Sequence, residues 1–111
     1  EISACLVGSE MCIRDSHGGE PYMTPINSKE YQAAASAIAA TFGKEPIPVR
    51  GGGSIPICAL FEKELGLKIV FMGFGLDSDN LHSPNEKFDI VNFYKGIETI
   101  PYFHQFYASS K

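Results

Sequence analysis

The stretch that most constrains this chain runs from Lys68 to Phe88. Lys68-Ile-Val-Phe-Met72 is a short apolar run of the kind that forms a buried strand. It empties into a polar loop holding Gly73, Gly75, Asp77, Asp79 and His82. Ser83-Pro84-Asn85-Glu86 follows and reads as a helix start, with Ser83 as N-cap, Pro84 at the first helical position and Glu86 closing a capping box. In open α/β sheets, chemistry gathers on loops that leave the carboxyl ends of strands. The pattern therefore places His82 where a ligand or catalytic group would stand, on backbone steadied by the cap below it.

The flanking segments alternate. Asn27 and Glu30 open a helix whose Ala-rich body runs from Tyr31 to Phe42, with Tyr31, Ala34, Ala35, Ile38 and Phe42 on one face and Gly43 as terminator. Glu45-Pro-Ile-Pro-Val-Arg50 reads as an edge strand or strand start, because Pro46 and Pro48 bring no backbone donors. Gly51-Gly52-Gly53 makes a sharp turn, and Ser54 caps the next helix with Pro56 in its first turn. Ile57, Leu60, Phe61 and Leu65 are its expected buried stripe, Cys58 a small core residue, and Gly66 its end. Asp89 starts a longer helix carrying Phe93, Ile97, Ile100 and Phe103 or His104. Pro101 is expected to bend it, and the Ala108-Ser109-Ser110-Lys111 end is expected to fray. Helix, strand, helix, strand, helix is the order of a parallel α/β sheet with right-handed crossovers.

Bulk properties narrow the function. A chain of 111 residues forms one domain at most, and its 44% hydrophobic and 20% charged content is that of an ordinary globular protein. A net charge of -4 without a Lys/Arg cluster argues against nucleic acid, and no apolar run is long enough to span a bilayer. Cys5, Cys12 and Cys58 have neither metal-site spacing nor an even count for a disulfide framework, which favours a reducing cytoplasm. The triple glycine matches no nucleotide fingerprint, and no Ser/His/Asp or Cys/His spacing suggests a nucleophile. Residues 1–16 fit none of this patterning. Glu10-Met-Cys-Ile-Arg-Asp-Ser16 reads as the translation of a sequencing adapter, so the segment is expected to be a non-native tail. His17-Gly-Gly-Glu-Pro-Tyr-Met-Thr-Pro25 is dense in Gly and Pro and reads as a connector, in which His17 has no metal role.

Gly73-Phe-Gly-Leu76, followed by Asp79-Asn-Leu-His-Ser-Pro-Asn-Glu-Lys-Phe88, resembles the C-terminal signature of the two-metal aminoacylase, carboxypeptidase and dipeptidase family. Carnosinase-like dipeptidases, acetylornithine deacetylase and succinyl-diaminopimelate desuccinylase belong to that family. Arg50-Gly-Gly-Gly-Ser-Ile-Pro56 is similar to the family's second C-terminal motif, in the same order and at agreeing spacing. The family often has an acidic residue where Gly51 stands, which leaves Arg50 without an assigned local partner.

The resemblance implies an α/β fold: the incomplete C-terminal portion of a zinc-peptidase-type three-layer catalytic domain, with parallel strands and flanking helices. Residues 17–26 would return the chain from an absent lid domain, and residues 27–111 would be the catalytic portion. His82 would bind one of two catalytic metals, usually zinc, with manganese or cobalt as alternatives. Asp77, Asp79 or Asn80 could orient its ring or shape the loop, although Asp77 reads better as a solvated carboxylate. Gly53 and Ser54 would contact substrate, as would His82; backbone N–H groups at a helix start favour an anion such as a substrate carboxylate. Glu86 is expected to cap, Asn85 to orient the loop, and His104 to lie at the surface or in packing.

In the family, two metal ions activate a shared water and polarise the scissile carbonyl, and a glutamate acts as general base. The implied reaction is hydrolysis of the amide bond of a dipeptide or short peptide. An N-acyl-amino-acid deacylase is the near alternative, and a non-catalytic α/β scaffold or interaction module the alternative from another class. The remaining ligands and the base have no counterpart here, so the chain alone is expected to be inactive. The parent enzyme would dimerise through its lid. A complete core would favour the scaffold; exposed apolar surface would favour the incomplete domain.

Overall fold

The computed structural model describes residues 22–50, 55 and 57–110. Three α-helices occur among them: α1 (Lys29–Phe42), α2 (Ile57–Leu65) and α3 (Ile90–Ser109), with a single 3₁₀ turn at Asp77–Asp79. The chain divides into two compact units, Glu1–Ser28 with Ile47–Val70, and Lys29–Pro46 with Phe71–Lys111.

The second unit is built on α1 and α3. The Ala-rich body of α1 has high helix propensity. It ends where expected, at Gly43, whose φ of 73° places it in the left-handed region while its N–H donates to the Ala39 carbonyl at 2.9 Å. Asp89 caps α3, its carboxylate accepting from the Val91 N–H at 2.9 Å. The two helices pack antiparallel: Lys29, at the start of α1, sits over the Tyr107 ring near the end of α3, and Lys95 sits over Phe42 at the opposite end. The contact is made by small residues. Ala33, Ala34 and Ala37 of α1 are buried, as are Gly96 and Thr99 of α3. The Thr99 hydroxyl donates to the Lys95 carbonyl at 2.7 Å and meets the Thr41 hydroxyl at 2.8 Å, so this buried polar group is fully engaged. Phe74 stacks on Phe42 with ring centroids 6.1 Å apart and lies against Gly96.

This differs from the expected faces. On α1, Ala34 of the expected face is buried together with Ala33 and Ala37, while Tyr31, Ala35, Ile38 and Phe42 are only half-buried. On α3 the expected stripe of Phe93, Ile97 and Ile100 is exposed, Phe103 is half-buried, and His104 is exposed, as anticipated. The buried residues of the pair are the small ones, and the larger apolar residues Phe93, Ile97 and Ile100 of α3 are left exposed. Helix α3 continues through Pro101 and reaches Ser109, where fraying was expected. Ser109 and Ser110 hydroxyls donate to the Gln105 and Phe106 carbonyls there.

In the first unit, α2 ends at Gly66, as anticipated, with φ 64° and its N–H on the Glu62 carbonyl at 2.9 Å. Cys58 is buried, in line with its reading as a small core residue, whereas the expected stripe of Ile57, Leu60, Phe61 and Leu65 is exposed. Gly51, Gly52, Gly53, Ser54 and Pro56 lie outside the described residues, and the expected turn and cap lie there with them.

The expected parallel strands are not formed among the described residues: neither 45–50 nor 68–72 carries strand structure. A strand is defined by its ladder, and the middle of the second run is bonded otherwise. The Ile69 N–H donates to the Tyr22 hydroxyl at 2.9 Å, and the Ile69 carbonyl accepts from Tyr22 and, at 2.7 Å, from the Thr24 hydroxyl. Side chains of the expected connector thus occupy the backbone groups that a neighbouring strand would use.

Candidate functional site

The loop after Met72 lies in the second unit and is built around one buried carboxylate. Asp79 is 5% exposed, although every residue from Asn80 to Ile90 is exposed. One of its carboxylate oxygens accepts from the Leu76 N–H at 2.7 Å and the other from the Lys87 ammonium at 2.9 Å. Its own N–H donates to the Leu76 carbonyl at 2.9 Å, and its carbonyl accepts from the Lys87 N–H at 3.0 Å. Asp79 therefore joins the two ends of the 76–87 segment. Between the alternative roles left open for the acidic residues, shaping the loop is the one this geometry gives Asp79, while Asp77 is exposed. The matching role of Lys87 was not anticipated. Its contact spans eight residues across a loop, and no local periodicity encodes such a pair.

Charge follows from this bonding. The Leu76 N–H first, and then the Lys87 ammonium, hold the Asp79 carboxyl below the usual carboxylate range. Unfolded, the same carboxyl titrates near ~3.9. A depressed folded value means that its stabilising contribution is complete above ~3.9 and is lost as pH falls through the lower folded value. Acid titration is expected to release the Leu76 amide from Asp79 only below the ordinary carboxylate range. Following that amide's proton shift checks it, and Asp79→Asn should abolish the transition.

The residues inside the closed segment adopt unusual backbone. Asn80, His82 and Asn85 have φ of 55°, 61° and 60°. The Ser83 N–H donates to the Asn80 carbonyl at 2.9 Å, closing a turn that has His82 at its third position. Positive φ at that position is the signature of a type II turn and is normally supplied by glycine. Asparagine tolerates it; for histidine it costs about 1–2 kcal/mol. His82 is exposed at this turn, carried by the loop that the sequence assigned to it. The expected helix start at Ser83-Pro84-Asn85-Glu86 is instead a turn. Asn85 in the left-handed region cannot continue a right-handed helix, so Glu86 does not cap, and the helix begins only after Asp89.

Gly75, Leu76, Asp79, Leu81, Lys87 and Phe88 line part of an open concavity of about 960 Å³ beside the loop. His82 is not among its lining residues. Among the described residues no group of three or more His, Cys, Asp or Glu side chains could hold a metal ion. The described residues therefore do not by themselves make up a two-metal site. Gly53 and Ser54, the other expected contacts, lie outside the described residues, as does His17. Among the described residues no helix is long and apolar enough to cross a membrane.

Comparison with known proteins places this loop in a wider context. The family model described as peptidase family M20/M25/M40 matches residues 7–104. Over 94 residues the chain is 34% identical to the Cys-Gly metallodipeptidase DUG1 of Saccharomyces cerevisiae, covering 85% of this chain and 20% of that protein. It is 32% identical over 90 residues to the Beta-Ala-His dipeptidase of Homo sapiens, covering 81% of this chain and 18% of that one. The solved structure of the Saccharomyces cerevisiae di-peptidase Dug1p superposes with a TM-score of 0.78 at 34% identity, over 85% of this chain and 20% of its own. An M20 family metallo-carboxypeptidase from Sulfolobus solfataricus superposes at 0.71 with 27% identity, over 82% of this chain and 21% of its own. The chain thus spans about a fifth of the length of the curated relatives it matches.

Proposed function

Since the chain belongs to peptidase family M20/M25/M40, we propose that it supplies the histidine-bearing portion of a metal-dependent hydrolase of dipeptides or short peptides. In this reading His82 is a ligand to one of two zinc ions. Gly53 and Ser54 contact the substrate through its carboxylate, since backbone N–H groups reached through glycines favour an anion. The observation that carries the reading is His82 itself: an exposed histidine at φ 61°, on a loop whose ends are joined by buried Asp79. Backbone strain of this kind persists where the surroundings over-determine it, and it clusters at functional sites.

Dipeptides are favoured over longer peptides because the relatives at 34% and 32% identity are dipeptidases and the carboxypeptidase stands at 27%. The incomplete-domain reading is supported over the scaffold by the large apolar residues exposed among those described, including Phe71, Phe93, Ile97 and Ile100.

A graft tests the proposal. The purified chain is expected to show no zinc-dependent hydrolysis of Cys-Gly, because a single histidine does not make a catalytic site. Residues 18–111 placed in the yeast dipeptidase, in exchange for the matching segment, are expected to sustain hydrolysis. Turnover by the chain alone, or a folded graft without turnover, would overturn the proposal.

A further inference from the structure

We propose that Asp79 is the positioning residue of this loop: by joining Leu76 to Lys87 it holds His82 in its left-handed backbone conformation. The consequence for metal binding rests on the reading of His82 as a ligand; the positioning itself does not.

Four hydrogen bonds converge on Asp79, two from its carboxylate and two from its backbone, and they reach both ends of the segment that carries His82. The residues between those ends are exposed and have no burial to hold them in place. Two of the three left-handed residues, Asn80 and Asn85, tolerate that conformation by their own chemistry. His82 does so less readily and needs an external constraint.

The carboxylate is the group that suits the position. It presents one acceptor oxygen to a backbone donor and the other to a cation, with all of its donors on the far side of the contacts. An asparagine of the same shape offers one acceptor and must aim its NH₂ at either the Leu76 N–H or the Lys87 ammonium. A role in filling space alone would leave Asp79→Asn nearly neutral. A role in joining the two ends would not.

The experiment is amide relaxation on the isotopically labelled 111-residue chain without metal, comparing Asp79→Asn, Lys87→Met and Lys87→Arg with the parent. In the parent, the His82 amide is expected to have an order parameter near ~0.85, the value of rigid backbone. In Asp79→Asn it should fall below ~0.6, that of flexible backbone, while the α1 and α3 amides stay unchanged. Lys87→Met should loosen the same residues to a smaller extent, because the Leu76 contact survives. Lys87→Arg, which keeps a cationic donor, should restore them. Lys87 has a side chain 56% exposed, so its variants carry the test should Asp79→Asn fail to fold.

Unchanged shifts and order at His82 in Asp79→Asn, or in Lys87→Met if that variant alone folds, would overturn the proposal. A loosening spread evenly over α1 and α3 would do the same, by showing a general stabilising role. No metal enters this measurement, so its failure leaves the ligand reading standing. Failure of the graft leaves the positioning role standing.

Discussion

In the grafted enzyme, His82→Ala lowers kcat/KM for Cys-Gly by more than about 100-fold, because losing even an outer-shell partner of a metal ligand typically costs 10–100-fold. The substitution removes the only described imidazole on the loop, and among the described residues no group of three or more His, Cys, Asp or Glu could hold a metal in its place. His82→Gly separates the catalytic loss from any structural damage. Glycine occupies φ 61° without penalty, so this variant loses activity as the alanine does, yet makes the isolated chain more stable by about 1 kcal/mol. The midpoint of urea unfolding, at unchanged slope, reads that gain. Opposite signs on activity and stability at one position are the mark of a residue kept in a strained conformation for its chemistry. Retention of turnover by His82→Gly would show that the imidazole is not a ligand.

The largest stability effect lies at Gly96. On propensity alone, Gly→Ala within a helix stabilises by about 1 kcal/mol. Here a Cβ would stand 2.9 Å from Cδ2 of Phe74, and 3.2 and 3.3 Å from two further atoms of the same ring. The ring is also engaged with Phe42, stacked at 6.1 Å between centroids, so a shift away from a new Cβ disturbs that contact. Gly96→Ala is therefore expected to destabilise by about 1–3 kcal/mol, the cost of overpacking. Gly96→Leu, which adds three more carbons, should abolish cooperative unfolding of the α1–α3 pair. The double variant Gly96→Ala with Phe74→Leu should recover most of the loss, a coupling that a double-mutant cycle measures directly. A stabilising Gly96→Ala would mean that Phe74 does not occupy this position in solution.

Both results turn on what was local in the chain and what was not. The three helices, the ends of α1 at Gly43 and α2 at Gly66, and the start of α3 at Asp89 were legible because each depends on neighbours within four residues: the alanines of α1, the two glycines with positive φ, and Asp89 bonding Val91. The two C-terminal motifs were legible as a family pattern, and the family match bears them out. His82 was correctly placed on a loop for the same reason, since Gly73, Gly75 and Asn80 interrupt any regular pattern around it.

The choice of helix face belonged to the tertiary structure. Periodicity marks the residues that would gain from burial, but the face that is buried depends on which surfaces can approach most closely. Ala33, Ala34, Ala37 and Thr99 are buried and Gly96 is covered by Phe74, while Phe93 and Ile97 are exposed. Strand formation was equally non-local: residues 68–72 have the composition, but Ile69 found side-chain partners in Tyr22 and Thr24, more than forty positions away. The Asp79–Lys87 link spans eight residues across a loop, beyond any helical or strand period, whereas the turn that replaced a helix at Ser83 follows from the left-handed backbone of Asn85 itself. The chain by itself determined which residues form helices and that His82 stands on a loop. Which faces met was decided by contacts between residues far apart in sequence, such as Thr41 and Thr99, whose partners no local pattern specifies.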